Sequence, residues 1–282
     1  MYKILKKRVL SSNVKMFVID APHVARKALA GQFIMLRIDE TGERIPLTIA
    51  DYDRETGAVT IIFQEVGKTT RQLGLLNEGD FLGDFVGPLG VASHFDGVKK
   101  ACVIGGGLGT AIAYPQAKGL KMHGAEVDMI VGFRNKDLIM LEEEFASASD
   151  RLFITTDDGS NGKKGFVSDV LKELLESGEK YDLVVAIGPI MMMKVVSDIT
   201  RPYGINTVVS MNSLMVDGTG MCGCCRVTVG GETKFACVDG PDFDGHKVDF
   251  AEAMRRGAMY KKEEAESSER HVCRMSGEVH NG

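Results

Sequence analysis

Residues 99–110 read KKACVIGGGLGT. Two lysines hand over to a short apolar run, and the run stops at a glycine cluster, Gly105, Gly106, Gly107 and Gly109, with Thr110 behind it. Such a run, closed by glycine, predicts a buried strand that turns sharply into the next element. That element, AIAYPQAKGL over 111–120, has helix-forming character that Pro115 interrupts. Closely spaced glycines let backbone amides approach phosphate oxygens, and a helix N-terminus adds a favourable positive field. The cluster departs from the full G-x-G-x-x-G fingerprint, because Thr110 stands where the last glycine falls when Gly105 is counted first. A tight structural turn is the alternative reading.

Working toward the C-terminus, strand-like segments alternate with helix candidates. AEVDMIVGF (125–133) precedes the acidic helix candidate KDLIMLEEEF (136–145), and RLFITT (151–156) precedes FVSDVLKELLES (166–177). YDLVVAIGP (181–189) and NTVVSMN (206–212) complete the series, which predicts a parallel α/β domain over 98–211. Ligands of doubly wound sheets collect beyond the C-terminal ends of the strands. Gly188 and Pro189 are therefore expected beside the first glycine cluster. No residue here separates NADH from NADPH.

Toward the N-terminus the text changes character. VKMFVID (14–20), GQFIMLRI (31–38) and AVTIIFQEV (58–66) are rich in β-branched and aromatic residues and lie between turn signals. With no long helical period between most of them, residues 1–97 predict an antiparallel barrel. TTRQLGLLN (69–77) supplies a short helix, and Gly79, Gly83, Gly87, Pro88 and Gly90 punctuate the exit.

Residues 212–250 form a third unit, DGTGMCGCCRVTV and then KFACVDGP after a polar hairpin. Cys222 and Cys225 have C-x-x-C spacing, and Cys237 can return across the hairpin. Asp217 and Cys224 compete for a fourth position, although the adjacency of Cys224 to Cys225 makes joint ligation awkward. A [2Fe–2S] cluster takes four protein ligands. A zinc ribbon also uses C-x-x-C pairs, and uncomplexed redox thiols are a third reading. With so small a core, bound metal would contribute to folding. Residues 251–282 read as a polar C-terminal extension, a solvated helix or a disordered tail, and include Cys273.

The whole chain narrows the function classes. Its 34 basic and 39 acidic residues give a net charge of -5, which offers no broad footprint for nucleic acid. No run reaches the roughly 18 to 20 apolar residues of a membrane span, and the opening MYKILKKRVL lacks a secretory apolar region. Together with crowded rather than dispersed cysteines, these features predict a cytoplasmic protein. His23, His94, His123 and His246 are scattered, and are read as surface or packing residues. The run Met191, Met192, Met193 is read as packing behind Gly188 and Pro189.

MVDGTGMCGCCRV (215–227) and ACVDGPDFDG (236–245) resemble the electron-transfer subunit of dihydroorotate dehydrogenase. They are more similar to the small subunit of NADH-dependent reduced ferredoxin:NADP oxidoreductase, also described as a sulfide dehydrogenase β subunit. The resemblance covers nearly the whole chain to about residue 260. It implies a ferredoxin-reductase-like fold: an FAD-binding β barrel, an NAD(P)-binding α/β domain and a small C-terminal [2Fe–2S] module. The dihydroorotate relative uses four cysteines. Asp217 stands here in place of the first, with Cys222, Cys225 and Cys237 matching the others, so the resemblance implies one aspartate and three cysteine ligands and leaves Cys224 as an extra thiol.

RIPLT and GKTT carry the resemblance into the barrel. Thr48 matches the hydroxyl position beside the flavin, and Pro46 and Leu47 fit the segment. Ile45 occupies the family's arginine position, and Arg44 lies one residue earlier. Gly67, Lys68, Thr69 and Thr70 match the loop that approaches the FAD pyrophosphate, where amides and hydroxyls meet phosphate acceptors. The resemblance also implies NAD(H) as substrate and a larger NADPH- and ferredoxin-linked flavin and iron–sulfur partner in a heterodimer that performs electron bifurcation. The runners-up are a dihydroorotate dehydrogenase electron-transfer subunit, a sulfide dehydrogenase subunit, and a non-enzymatic nucleotide-binding subunit with zinc.

Overall fold

Strands that alternate buried and exposed residues must close on themselves or pack on another layer, and this chain does both. The computed structural model describes residues 1–267. Its first unit contains β1 (Tyr2–Ser11), β2 (Val14–Asp20), α1 (Pro22–Ala25), β3 (Phe33–Arg37), β4 (Ile45–Asp53), β5 (Ala58–Gln64), α2 (Lys68–Leu75), β6 (Phe81–Leu82) and β7 (Asp84–Leu89). The strands form one antiparallel sheet in the order β6-β1-β2-β5-β4-β3-β7. Only Gly83 separates the two edge strands in sequence, so the sheet curls into a nearly closed barrel. Phe17, Ile34, Leu36, Ile61 and Phe63 fill its interior, and the Phe17 and Phe63 rings meet edge-on at 5.1 Å.

The second unit alternates as the sequence predicts: β8 (Lys100–Gly106), α3 (Gly109–Met122), β9 (Glu126–Phe133), α4 (Glu142–Ser147), β10 (Arg151–Thr156), α5 (Val167–Glu176), β11 (Leu183–Ile187), α6 (Ile190–Thr200) and β12 (Asn206–Ser210). These five strands are parallel, in the order β10-β9-β8-β11-β12. Chain order reverses between β8 and β11, which opens the crevice where such sheets bind ligands.

Two local expectations fail for identifiable reasons. Pro115 does not interrupt α3, which runs through it. The lost hydrogen bond and ring clash cost ~3 kcal/mol in an isolated helix. Here Ala111, Ala113, Ala117 and Leu120, all fully buried, hold the helix on β8, β9 and β11. The acidic segment 136–145 is not one helix. A 3-10 turn at Lys136–Leu138 gives way to α4 only after Leu141, which is left-handed at φ 57° while it and Met140 are buried.

The third unit is a hairpin, β13 (Arg226–Val229) and β14 (Glu232–Phe235), followed by β15 (Asp242–Asp244) and α7 (Phe250–Gly257). β15 leaves its own unit and pairs antiparallel with β12, as an edge strand of the parallel sheet. Residues 261–267 are helical. The rest of the expected extension, with Cys273, lies outside the described residues. No helix among the described residues is long and apolar enough to cross a membrane.

Candidate functional site

The cysteine loop, 212–225, crosses from the end of β12 to the start of β13 and is pressed onto the barrel. Gly218 (φ 78°) has Met35 of β3 so close that a Cβ would lie 2.6 Å from its Cγ, so only glycine admits both the turn and the approach. Cys225 and Cys237 share one apolar cluster with Phe33 and Met35 of the barrel and with Cys102 and Ile104 of the parallel sheet. Phe33 and Met35 are the register partners of Thr48 and Pro46. The cysteine loop thus abuts the strand next to the expected flavin segment.

Within the loop the expected ligands fall into two pairs. Cys225 and Cys237 are buried, with their sulfurs 3.2 Å apart. Asp217 Oδ1 accepts from the Thr219 N–H at 2.8 Å, and Oδ2 from the Cys222 N–H at 2.9 Å. These amides, that of Thr219 foremost, hold the Asp217 carboxyl below the usual carboxylate range. The Cys222 thiol is exposed and lowered, chiefly because the Cys224 N–H favours its thiolate. Burial, reinforced by Cys225, pushes the Cys237 thiol up to about 12. Cys224 rises through its hydrogen bond with Cys222. Among the described residues no three His, Cys, Asp or Glu side chains converge as ligands of a single ion. Donors in two pairs fit a two-iron group, in which each iron takes two protein ligands, better than one tetrahedral ion.

The glycine crevice lies where the sheet order reverses. Ile187 pairs with Gly105, which puts Gly188 and Pro189 beside Gly106. A Cβ on Gly109 would collide with the Ile187 carbonyl and sit 2.7 Å from the Gly188 Cα. Thr110 is fully buried, and its hydroxyl donates to the Gly107 carbonyl at 2.8 Å. Met192 packs against Gly106 and Met193 is buried, in line with the packing read for that run, whereas Met191 is 54% exposed and departs from it.

At the barrel rim, Gly67 caps α2. Having no side chain, it cannot return the capping bond, but Thr70 Oγ1 accepts from the Val66 and Gly67 amides, each at 3.0 Å. Thr69 is buried, and its hydroxyl donates to Glu43 at 2.7 Å, while Arg44 lies 3.8 Å from Asp84. Lys68 opens α2, and nothing stands within 4 Å of where a Gly67 Cβ would be. Glu43 was not singled out by sequence, although its place beside Arg44 was the available signal. His123 bonds the Gly119 carbonyl and His246 pairs with Thr200, so both serve packing.

The comparisons agree with this arrangement. Residues 1–94 match the family model described as an oxidoreductase FAD-binding domain, and residues 212–249 match the iron–sulfur cluster binding domain of dihydroorotate dehydrogenase B. A homologue of the dihydroorotate dehydrogenase B (NAD(+)) electron transfer subunit from Thermotoga maritima is 46% identical over 95% of this chain and 94% of its own. The corresponding subunit of Geobacillus thermodenitrificans is 32% identical, over 87% and 96%. A solved structure of NADH-dependent reduced ferredoxin-NADP oxidoreductase, from work on flavin-based electron bifurcation, superposes with a TM-score of 0.91 at 44% identity, over 96% of this chain and 98% of that one. The ferredoxin-reductase-like fold and the resemblance read from the cysteine loop are both borne out. The chain belongs to the family of dihydroorotate dehydrogenase B electron-transfer subunits and their homologues, and is an oxidoreductase subunit with an FAD-binding barrel and an iron–sulfur cluster binding domain.

Proposed function

We propose that the chain is the small subunit of a cytoplasmic, electron-bifurcating NADH-dependent ferredoxin:NADP oxidoreductase, linking NAD(H) to a larger flavin and iron–sulfur partner. Residues 1–97 would hold FAD, 98–211 NAD(H) and 212–250 a [2Fe–2S] cluster. When bound, flavin exchanges hydride with a nicotinamide and single electrons with an iron–sulfur centre. The carrying observation is the shared core: Cys225 and Cys237 pack with Phe33 and Met35, the strand partners of Thr48 and Pro46.

The chain's own residues orient and shield these groups. Arg44, Pro46, Leu47 and Thr48 would line one side of the flavin site, and the amides of Lys68, Thr69 and Thr70 in the first turn of α2 would meet the pyrophosphate, with Gly67 leaving room for its approach. Gly105, Gly106, Gly107, Gly109 and Thr110 bring backbone close to the dinucleotide, with Gly188 and Pro189 as the opposite wall. Asp217 and Cys222 would hold one iron and Cys225 with Cys237 the other. Asp217 needs no proton removed near neutral pH, since its amide partners already favour the carboxylate.

Anaerobic co-purification with native partners tests this reading. Flavin, iron and sulfide should be found in the complex, and the isolated FAD- and cluster-replete chain should reduce an artificial acceptor with NADH. Zinc in the cysteine loop, or iron and flavin without NADH oxidation, would count against it. A dihydroorotate-oxidising partner would select the second reading, which the names of the two curated relatives favour.

A further inference from the structure

Helix α7 ends beside the cysteine loop. Phe250, buried in the cluster shared with Cys225 and Val227, and Ala253, packed against it, seat the helix on β13 and α6. Its last turn carries Arg256, whose Nη2 donates to the Cys224 carbonyl at 2.9 Å across 32 residues of sequence. A second guanidinium approaches the same loop from β13, where Arg226 Nη1 donates to the Gly223 carbonyl at 3.3 Å. Both arginines line a cleft of about 200 Å³ that also contains Cys222 and Cys224. Two fixed positive charges therefore bear on two of the three peptides that join Cys222 to Cys225.

We propose that Arg256, assisted by Arg226, is a positioning residue that sets the reduction potential of the group held by this loop. The inference rests on the cluster assignment above. A guanidinium stays protonated at every accessible pH. Reduction adds one electron, hence one negative charge, to a centre whose four protein ligands are already anionic. A nearby fixed positive charge favours the reduced form over the oxidised one, and Arg256, half-buried where Arg226 is exposed, is the less screened of the two. The hydrogen bond to Cys224 keeps that charge at a constant distance as the loop changes its own charge.

The test uses the chain with its native cofactors and a redox titration of the cluster followed by EPR. Arg256→Gln keeps a donor for the Cys224 carbonyl and drops the charge, whereas Arg256→Lys keeps the charge. Arg256→Gln should retain iron and show roughly a tenfold lower reduced-to-oxidised ratio at fixed potential, about 59 mV for one electron. Arg256→Lys should stay near the parent. An unshifted Arg256→Gln with full iron would overturn the inference while leaving the cluster assignment intact. Absence of iron from the parent chain would overturn both. Should Arg256→Gln lose its iron, Arg226→Gln carries the same expectation of harder reduction, and an unshifted potential or lost iron there would replace charge tuning with a purely structural clamp.

Discussion

The hydroxyl of Thr70 is committed to two amides, those of Val66 and Gly67, before any ligand arrives. Thr70→Ala should therefore lower stability by about 1 kcal/mol, or roughly 2–4 °C in thermal midpoint, with Thr70→Ser restoring most of it in a melting experiment. Asp217 plays a comparable double part. Its carboxylate ties down Thr219 and Cys222, so Asp217→Ala should release the loop and reduce iron content severely. Asp217→Cys should retain iron but change the EPR spectrum, because a thiolate is a softer and more covalent donor than a carboxylate. Identical spectra for parent and Asp217→Cys would show that this side chain does not touch iron.

Between elements, the decisive contact is the one between two βα turns. Gly109 leaves no room for a side chain against Ile187 and Gly188, so Gly109→Ala must push α3 away from β11. A loss on the order of 1–3 kcal/mol is expected, together with weakened dinucleotide retention; denaturant unfolding and NADH titration would measure the two effects. This crevice was legible in the sequence because glycine clusters and apolar runs are local signals. The strand segments at 14–20 and 151–156 were legible for the same reason. Pro115 misled because tertiary burial of the alanines around it outweighs a local helix breaker. Leu141 misled because its left-handed backbone is sustained by burial that no helical period records. In the cysteine loop, residue types and spacing pointed to Cys222, Cys225 and Cys237 and left Asp217 and Cys224 open, and the family resemblance favoured Asp217. The approach of Arg256 to Cys224 was invisible, since it depends on how α7 docks. Likewise, nothing in the short DFD segment announced that β15 would join a sheet begun at Lys100.

At the scale of the molecule, the three units are joined by polar contacts as well as by the shared core. Lys118 of α3 binds Asp51 of β4 at 2.7 Å, and Arg8 of β1 reaches Glu144 of α4 at 2.7 Å. These pairs are partly exposed and contribute little individually. The enclosed contact is different: Asp242 of β15 accepts from the Ser93 hydroxyl at 2.6 Å and from Gln116 Nε2 at 2.9 Å, while its Oδ1 is buried without a protein partner. Burial raises the Asp242 carboxyl above its usual range, against the lowering effect of Ser93, Ser210 and Gln116. A carboxyl whose pKa is raised on folding contributes stability below its unfolded pKa and loses it as pH rises through the folded value. Above its raised folded-state pKa the parent therefore carries a buried charge that an amide would remove. Asp242→Asn can keep the acceptor for Ser93 and Gln116, and should be the more stable protein above that folded-state pKa by on the order of 1 kcal/mol. Its advantage should shrink as pH falls from the raised folded value to the ordinary carboxylate pKa, below which both side chains are neutral. Thermal unfolding of both proteins across that range measures the difference directly. A deficit for Asp242→Asn at the alkaline end of that range would mean that the three units are held together by the carboxylate's charge rather than in spite of it.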